Sequence, residues 1–296
     1  MKLLRYGPPG QEKPAALDRS GRLRDLSAVV PDIAGATLAP PALARLAALD
    51  LDSLPEVPQG VRLGACVGGV RNLLCIGLNY SDHAAEAGLK LPTQPLVFSK
   101  HTSALAGPDD PIVLGAGSEK GDWEVELGVV IGSPCWHVSA AEALDYVAGY
   151  CLVNDVSERA WQMEMEGQWI KGKSSFSFAP AGPWLLTRDE VPDPQAIDLW
   201  LDVNGRRMQT GTTSRMIFGV AEIVAYLSRF MALLPGDLIA TGTPPGVGLG
   251  FKPPIFLRAG DSVRLGGSGL GEQNQRVVAF RPEMAAAWRR GEVPPA

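Results

Sequence analysis

Glycine and proline interrupt this sequence so often that long helices have little room to form. The 296 residues include 34 glycines and 25 prolines, and both residue types mark turns and end regular elements. Short apolar segments lie between them, such as Leu73–Gly77 and Trp123–Ile131, with the length and content of buried strands. Predicted strands outnumber predicted helices and do not alternate with them regularly. We therefore expect a β-rich α+β fold and not a doubly wound sheet.

Local patterns place several elements along the chain. Leu3–Tyr6 predicts a strand, and the Ala- and Leu-rich residues 42–49 predict a short helix. Ser139 to Ala148 opens with a Ser-x-x-Glu capping box, which predicts a helix over these residues. Asn204–Gly205 follows an alternating strand pattern and predicts a type I′ hairpin turn. Ile217–Met231 is apolar at helical spacing and predicts a second helix.

The first 65 residues differ from the remainder of the chain. They contain no combination of side chains that suggests chemistry, and they end near residues 54–60, a segment that is typical of a linker. We therefore expect a small N-terminal domain over residues 1–65 and a catalytic domain over residues 66–296.

Composition excludes several classes of function. The formal net charge is -5 and no long run of Lys and Arg is present, which argues against a nucleic-acid partner. No apolar stretch reaches the length of a membrane span, and the N-terminus lacks the apolar core of a signal peptide, so we expect a cytoplasmic protein. The four cysteines form no Cys-x-x-Cys pair, and most of them lie among apolar neighbours. They are typical of small buried hydrophobic residues and not of a zinc site.

Two glutamates lie in the predicted strand Trp123–Ile131. Glu124 and Glu126 are two residues apart, so their carboxylates face the same side of a strand. Two like charges this close are unfavourable unless a positive charge lies between them, and a magnesium, manganese or calcium ion would provide it. The alternative is a solvated strand face with two harmless acids.

Asp155 adds a third carboxylate, because it ends the apolar strand that precedes it. Arg159 and Gln162 follow four and seven residues later and would share one face of a helical turn. The alternative is that Asp155 caps this helix and pairs with Arg159. Lys173 follows Gly172, where the backbone can approach another group closely. It would complete a charged pocket with the three acids, or else be an ordinary surface lysine.

His83 and Glu86 are three residues apart and would meet on one face of a short helix. A carboxylate that holds one ring nitrogen orients the other as a general base, although an ordinary surface pair has the same spacing. Gly242 and Thr243 lie in a Gly- and Pro-rich loop, residues 241–248, whose backbone N–H groups and hydroxyls can bind a carboxylate. A plain connecting loop explains this composition equally well.

These motifs occur together and in one order, and in this the chain resembles the fumarylacetoacetate hydrolase family. The smaller bacterial members of that family include acylpyruvate hydrolases and diketo-acid hydrolases. The matching segments span about residues 73–280 and are GLNYSDHAAE (77–86), DWEVELGVVIG (122–132), YVAGYCLVNDVSERAWQ (146–162), QWIKGKS (168–174), VNGRRMQTG (203–211) and GDLIATGTPPGVG (236–248).

The resemblance implies a fold, a metal site and a set of roles. The fold would be a mixed β-sandwich roll, usually found as a homodimer. A divalent metal, most often Mg²⁺, would be bound by Glu124, Glu126 and Asp155. His83 and Glu86 would activate water, and Lys173 would stabilise negative charge on the substrate. The positions that match substrate contacts in the family are Arg159, Gln162, Gly242 and Thr243.

The reaction that the resemblance implies is hydrolysis of a carbon–carbon bond in a small 2,4-diketo acid. The same enolate chemistry also serves decarboxylation and keto–enol tautomerisation, and a ureidoglycolate lyase activity is a further alternative. Two alternatives from other classes are a non-catalytic protein that binds a metal and a small acid, and a structural scaffold, which would leave the three acids unexplained.

Two positions depart from the pattern of relatives. Many relatives carry an Asp soon after the Lys-Ser pair, where this chain has Phe176, and they often carry a small or apolar residue at the position of His101. If Phe176 faces the substrate, it favours an apolar distal group over a polyhydroxylated chain, because buried hydroxyls would lack partners. The alternative is that Phe176 packs into the core.

Overall fold

The computed structural model of the protein describes residues 1–82 and 91–290. Its strands are β1 (Lys2–Tyr6), β2 (Lys13–Leu17), β3 (Leu23–Asp25), β4 (Leu73–Gly77), β5 (Leu96–Lys100), β6 (Leu105–Ala106), β7 (Ile112–Leu114), β8 (Gly121–Asp122), β9 (Val125–Ile131), β10 (Val147–Asn154), β11 (Ser157–Glu158), β12 (Ala179–Thr187), β13 (Asp198–Val203), β14 (Arg206–Thr212), β15 (Leu238–Ala240), β16 (Ser262–Gly267) and β17 (Gly271–Ala279). Its α-helices are short: α1 (Pro40–Ala47), α2 (Arg159–Met163), α3 (Ile170–Lys173), α4 (Val220–Ser228) and α5 (Pro282–Arg289).

Within these residues the strands form two main sheets. A ten-stranded mixed sheet runs in the order β3-β2-β1-β12-β10-β9-β15-β4-β5, with β6 paired to β12. A five-stranded sheet runs β14-β13-β16-β17-β7, and β8 pairs with β11 separately. The second sheet packs against the middle of the first, where Gln273 of β17 donates hydrogen bonds to the carbonyls of Leu152 and Gly182. The predicted β-rich α+β fold, a mixed β-sandwich roll, is confirmed.

The strands at the centre of the large sheet are buried. Every residue of β9 and β10 is buried, as expected for strands covered on both faces. The two strands pair antiparallel, with Val125 opposite Asn154 and Glu126 opposite Val153. This pairing brings the start of β9 and the end of β10 to one edge of the core, and the acids that flank these ends lie together there.

The N-terminal residues share this architecture. β1 pairs with β12, and Leu3, Leu26 and Ile33 belong to the same buried apolar cluster as the central strands. The large sheet therefore crosses the predicted domain boundary at residue 65. The division into residues 1–65 and 66–296 stays a prediction, and a chain that begins at residue 66 would test it.

Two predicted elements differ in the structure. The strand predicted from Trp123 begins at Val125, so Glu124 lies just before it. The helix predicted over Ser139–Ala148 is wrong: a single 3-10 turn covers Ala143–Tyr146, and β10 begins at Val147. Pairing of Val147 with Ile131 in the sheet outweighs the helical preference of this segment. Ser139 still donates a hydrogen bond to Glu142, at 2.6 Å between the two oxygens.

Other local predictions are confirmed. Asn204 and Gly205 have φ angles of 52° and 74°, as a type I′ turn requires. The helix predicted over Ile217–Met231 forms, with the shorter bounds of α4. Among residues 1–82 and 91–290, none of the helices combines the length and the apolar character that a bilayer crossing needs.

Candidate active site

Three buried carboxylates meet where β9 starts and β10 ends. Glu124 precedes β9, Glu126 is its second residue, and Asp155 directly follows β10. The backbone N–H of Asp155 donates to the carbonyl of Glu124 at 2.9 Å, which fixes the two ends together. One oxygen from each carboxylate lies within 4.8 Å of the others. The structure thus brings together the three predicted metal ligands, although Glu124 is not part of the strand that suggested it.

Two lysines hold the carboxylate of Asp155 from opposite sides. Lys173 donates to Asp155 Oδ2 at 2.6 Å and to Glu124 Oε2 at 2.7 Å. Lys100, the last residue of β5, donates to Asp155 Oδ1 at 2.5 Å and to the carbonyl of Val156 at 2.9 Å. Both side chains are buried. The expectation that Lys173 joins the acids is met, whereas Lys100 was missed by sequence reasoning, and its place at the end of an apolar strand was the only signal.

Arg159 links the acids to a second layer of polar groups. Its guanidinium donates to Glu124 Oε1 at 2.6 Å, to Asp122 Oδ2 at 2.8 Å and to Gln162 Oε1 at 3.1 Å. Arg159 and Gln162 share one face of α2, as their spacing indicated. The alternative of an Asp155–Arg159 pair is wrong, because Asp155 pairs with lysines and Arg159 pairs with Glu124 and Asp122.

Asp122 is a further residue that sequence reasoning missed. It is fully buried in β8, and besides Arg159 it accepts hydrogen bonds from the backbone N–H groups of Gly248 and Leu249, at 2.6 and 3.1 Å. One carboxylate therefore fixes both the arginine and the loop that closes one side of the site.

The loop after β15 contacts the acids directly. Gly242 donates its backbone N–H to Glu126 Oε2 at 2.8 Å, and Thr243 donates its hydroxyl to the carbonyl of Val125 at 2.9 Å. Gly242 has a φ of 101°, and a Cβ built there would lie 2.8 Å from the Cβ of Asn79, so only glycine fits. The predicted anion-binding loop thus directs the Gly242 N–H to a carboxylate of the protein itself.

The charges in this cluster are unevenly balanced. Burial disfavours the charged form of Glu124, but Lys173 and Arg159 outweigh it and lower its pKa to about 2. Burial raises the pKa of Glu126 well above its ordinary value, and the negative charges of Asp155 and Glu124 raise it further. Glu126 therefore lies where one more positive charge would be most favourable. Three converging carboxylates are also the hard oxygen donors that Mg²⁺, Mn²⁺ and Ca²⁺ prefer, so the residues fit a divalent cation.

A cavity of about 420 Å³ opens onto this cluster, and we name it the acidic cavity. It is lined by Ile76, Gly77, Leu78, Phe98, Glu124, Glu126, Asp155, Arg159, Gln162, Met163, Trp169, Lys173, Thr243, Val247, Leu249, Gly250 and Lys252. The predicted catalytic residues His83 and Glu86 lie outside the described residues.

Phe176 and His101 line a different cavity, of about 450 Å³. We name it the aromatic cavity, after Phe176 and Trp288, whose ring centroids are 5.0 Å apart. Phe176 is not among the residues that line the acidic cavity, and it is not packed in the core, since 36% of it is exposed. The alternative that Phe176 packs into the core is therefore wrong, and a role of Phe176 in substrate selection stays a prediction.

Comparison with known proteins identifies the family. Residues 72–278 match the family model described as fumarylacetoacetate hydrolase, C-terminal. The chain belongs to the fumarylacetoacetate hydrolase family. The resemblance suggested by the sequence motifs is confirmed, and members of this family are hydrolases and isomerases.

The relatives differ in their reactions. A Burkholderia multivorans protein provisionally named a hydrolase is 63% identical over 282 residues, which are 95% of this chain and 100% of its own length. The solved 2-hydroxyhepta-2,4-diene-1,7-dioate isomerase of Mycobacterium marinum is 35% identical with a TM-score of 0.73, over 94% of this chain and 98% of that one. The maleylpyruvate hydrolase of Sphingobium sp. SYK-6, solved with manganese(II) and pyruvate, is 28% identical with a TM-score of 0.79, over 95% and 100%.

Proposed function

We propose that this protein is a divalent-metal-dependent hydrolase that cleaves a carbon–carbon bond in a 2,4-diketo acid of the acylpyruvate type. The products would be a carboxylic acid and pyruvate or a related 2-oxo acid. The observation that carries the proposal is the convergence of three buried carboxylates within 4.8 Å on the wall of the acidic cavity. The Sphingobium hydrolase, which was solved with manganese(II) and pyruvate, supports the same class of reaction.

Glu124, Glu126 and Asp155 would hold the cation, which we propose to be Mg²⁺, with Mn²⁺ or Ca²⁺ as alternatives. When bound, a divalent cation supplies Lewis-acid polarisation of the 2-oxo group and offsets the charge of the substrate carboxylate. Arg159, Gln162 and Thr243 lie around the same cavity, and with Gly242 they would orient the substrate.

Lys173 would stabilise the charge that develops on the substrate. Its ammonium group has three N–H donors, and two of them are used by Glu124 and Asp155. The third has no hydrogen-bond acceptor among the described residues and is available to an enolate oxygen in the acidic cavity. These two carboxylates also raise the pKa of Lys173 against the opposing effect of burial, so the lysine stays charged and donates hydrogen bonds.

His83, oriented by Glu86, would take a proton from water. The resulting hydroxide attacks the 4-carbonyl carbon of the diketo acid, and the bond between carbons 3 and 4 breaks. The electron pair passes to the pyruvate enolate, which Lys173 stabilises until carbon 3 is protonated. A general base contributes about 10² to 10⁴-fold, so His83→Ala should lose this factor in kcat and keep its affinity for the metal.

The proposal is tested with a panel of acylpyruvates and Mg²⁺ or Mn²⁺. Loss of the diketo-acid ultraviolet absorbance together with stoichiometric release of pyruvate is the expected result. Absorbance loss without pyruvate would instead support tautomerisation or isomerisation, the second candidate, which the similarity to the Mycobacterium marinum isomerase favours. Release of CO₂ would indicate a decarboxylase, and a ureidoglycolate assay covers the remaining alternative.

Two further outcomes concern the class of protein and its assembly. If the metal and a 2-oxo acid bind but no substrate of the panel reacts, the protein is a non-catalytic binder and the proposal fails.

We also propose that the chain forms a homodimer, as the family resemblance implies. Light scattering of the purified protein measures this directly.

A further inference from the structure

The strand β14 lies at the edge of the five-stranded sheet, and its one buried residue is a glutamine. The other residues of β14 are exposed or half-buried, whereas Gln209 is 0% exposed. Side chains buried to this degree are usually apolar, and glutamine is mostly found at the surface. An apolar side chain at this position would avoid the cost of burying an amide. The hydrogen bonds of Gln209 therefore need an explanation.

Both N–H donors of the Gln209 amide and its oxygen are hydrogen-bonded. The Oε1 atom accepts from the backbone N–H of Val125 at 3.0 Å. The Nε2 atom donates to Thr243 Oγ1 and to the carbonyl of Pro244, each at 2.8 Å. Thr243 in turn donates its hydroxyl to the carbonyl of Val125. Gln209 and Thr243 thus hold Val125 from both of its backbone groups.

Val125 is the residue between Glu124 and Glu126, two of the three acids in the cluster. Its N–H belongs to the peptide group shared with Glu124, and its carbonyl belongs to the peptide group shared with Glu126. Gln209 accepts from the first and Thr243 donates to the second. The main chain that carries both acids is therefore fixed by buried side chains.

A second buried amide holds the main chain on the other side of Glu124. Asn154 directly precedes Asp155, and its Oδ1 accepts from the backbone N–H of Glu124 at 3.2 Å. Its Nδ2 donates at 3.1 Å to Gln275, which belongs to β17 of the same five-stranded sheet as Gln209. Amide side chains of this sheet thus limit the movement of the acids relative to one another.

We infer that Gln209 is a positioning residue that fixes the spacing of Glu124 and Glu126 and thereby favours Mg²⁺ over Ca²⁺ at the acid cluster. Mg²⁺ requires a nearly ideal octahedron of oxygens at short distances, whereas Ca²⁺ accepts longer distances and irregular arrangements. A rigid main chain at the ligands favours the smaller ion, because it holds the oxygens close together. This inference rests on the proposed function, since it concerns the metal of the same site.

The test is calorimetric titration of wild type and Gln209→Met with Mg²⁺ and with Ca²⁺, below the thermal midpoint of both proteins. Methionine keeps the length of the side chain but cannot hold the Val125 N–H. Mg²⁺ affinity should fall by about 10 to 100-fold, the usual effect of losing a group that orients a metal ligand. Ca²⁺ affinity should fall less, so the ratio of the two dissociation constants shifts towards Ca²⁺. A role in folding alone would leave this ratio unchanged.

Gln273→Met is the matched control, because Gln273 is an equally buried amide of the same sheet. Its Nε2 donates to the carbonyls of Leu152 and Gly182, and neither of these residues lines the acidic cavity. Gln273→Met should lower the thermal midpoint, as Gln209→Met does, but leave the affinity for both cations unchanged. An equal loss of Mg²⁺ affinity in the two variants, or an unchanged ratio in Gln209→Met, would overturn the inference.

Thr243→Val is a milder variant that decides the matter if Gln209→Met does not fold. It removes the hydroxyl that holds the Val125 carbonyl and should shift the ratio in the same direction. Thr241→Val is its control, because the buried Thr241 donates its hydroxyl to the carbonyl of Leu127 at 2.8 Å, beyond the peptide groups that join the two acids. The inference fails if Thr243→Val keeps the wild-type ratio, or if Thr241→Val shifts it equally.

Calorimetry needs no turnover, so the inference and the proposed reaction fail separately. If the ratio shifts in Gln209→Met while wild type cleaves no acylpyruvate, only the reaction is wrong. If wild type cleaves acylpyruvates with Mg²⁺ and the ratio does not shift, only the role of Gln209 is wrong. A wild type that binds neither cation would exclude both.

Discussion

The two cavities of this protein are nearly equal in size but differ in how their charged side chains are arranged. The acidic cavity has a volume of about 420 Å³ and the aromatic cavity about 450 Å³. In the acidic cavity the carboxylates and their cations are buried. In the aromatic cavity Arg62 pairs with Asp110 at 2.6 Å, and their side chains are 26% and 21% exposed. Volume therefore does not distinguish the candidate active site, but the convergence of three buried carboxylates does.

The difference matters because buried charge is unfavourable for stability. Removing an ion from water costs several kcal/mol even when it is paired, so a cluster of buried acids and bases needs a reason other than folding. Strongly perturbed pKa values are concentrated at functional sites. The pKa of Glu124 is lowered and that of Glu126 is raised. Partly exposed ion pairs such as Arg62–Asp110 need no such reason, since solvent screens them.

Residues that are adjacent in sequence contact different cavities. Lys100 is buried against Asp155, whereas His101, the next residue, is exposed and lines the aromatic cavity. The backbone N–H of His101 donates to the hydroxyl of Ser174 at 2.8 Å, and Ser174 follows Lys173. Substitutions of Lys100 and His101 therefore compare the two cavities at adjacent positions in the sequence.

The largest effect on metal affinity and activity is expected when a carboxylate that lines the acidic cavity is lost. Glu126→Gln keeps the shape and the hydrogen bond from Gly242 but removes the charge. Loss of a group that orients a metal ligand lowers metal affinity or activity by about 10 to 100-fold. Loss of the ligand itself should therefore lower both metal affinity and kcat by more than about 100-fold. The thermal midpoint should not fall, because the neutral amide is not disfavoured by burial next to Asp155 and Glu124, as a negative charge would be. Calorimetric titration with Mg²⁺ or Mn²⁺, kinetics and thermal unfolding measure the three quantities.

The matched control on the aromatic side is Asp110→Asn. It removes an equivalent charge from a partly exposed ion pair and should lower stability slightly while metal affinity and kcat stay at wild-type values. Unchanged metal binding in Glu126→Gln, or an equal loss in Asp110→Asn, would show that the acidic cavity is not the metal site.

A smaller difference in metal affinity and activity is expected between substitutions of Lys100 and His101. Lys100→Met removes the donor to Asp155 Oδ1 and leaves Lys173 on Oδ2. The carboxylate therefore keeps only one of the two lysines that orient it. We expect metal affinity and kcat to fall by about 10 to 100-fold, the usual effect of a group that orients a ligand. His101→Ala, one residue away, should change both by less than about twofold, as surface substitutions do.

The outcome of this pair decides whether Lys100 acts on the site or only on the fold. If Lys100→Met lowers stability but leaves metal affinity unchanged, the lysine is structural. If His101→Ala is as damaging as Lys100→Met, the division between the two cavities is not functional.

The residues that sequence reasoning found share one property. Glu124, Glu126 and Asp155 lie in or directly beside apolar strands, and polar side chains there are conspicuous because burial without a partner is costly. Arg159 and Gln162 were placed correctly relative to each other, because helical spacing is local information. The type I′ turn at residues 204–205 was found for the same reason.

The residues that it missed depend on contacts between distant parts of the chain. Lys100 reaches Asp155 because β5 pairs with β4, β4 with β15, and β15 with β9, an order that no single segment encodes. Asp122 is fixed by the backbone N–H groups of Gly248 and Leu249, which lie 126 and 127 positions further along the chain. The helix predicted at Ser139 failed because the pairing partner of Val147 lies in another strand. Local patterns thus predicted elements and candidate ligands, while the partners that hold those ligands required the topology.

The smallest effect is expected for Phe176, the residue whose sequence context suggested a role in substrate selection. Its ring lies against Trp288 at 5.0 Å between centroids, with the planes at 67°. The two residues are 36% and 53% exposed, so the contribution of their contact to stability should be at the lower end of the 0.5–1.5 kcal/mol range of aromatic pairs. Phe176→Asp should therefore lower the thermal midpoint by about 2 °C or less. Because Phe176 does not line the acidic cavity, the ratio of kcat/KM between an alkyl acylpyruvate and a polyhydroxylated diketo acid should stay within about twofold of wild type. Phe176→Leu, which keeps an apolar side chain, is the control for stability. A ratio that changes in Phe176→Asp but not in Phe176→Leu would show that the aromatic cavity also selects the substrate, and the distinction between the two cavities would no longer hold.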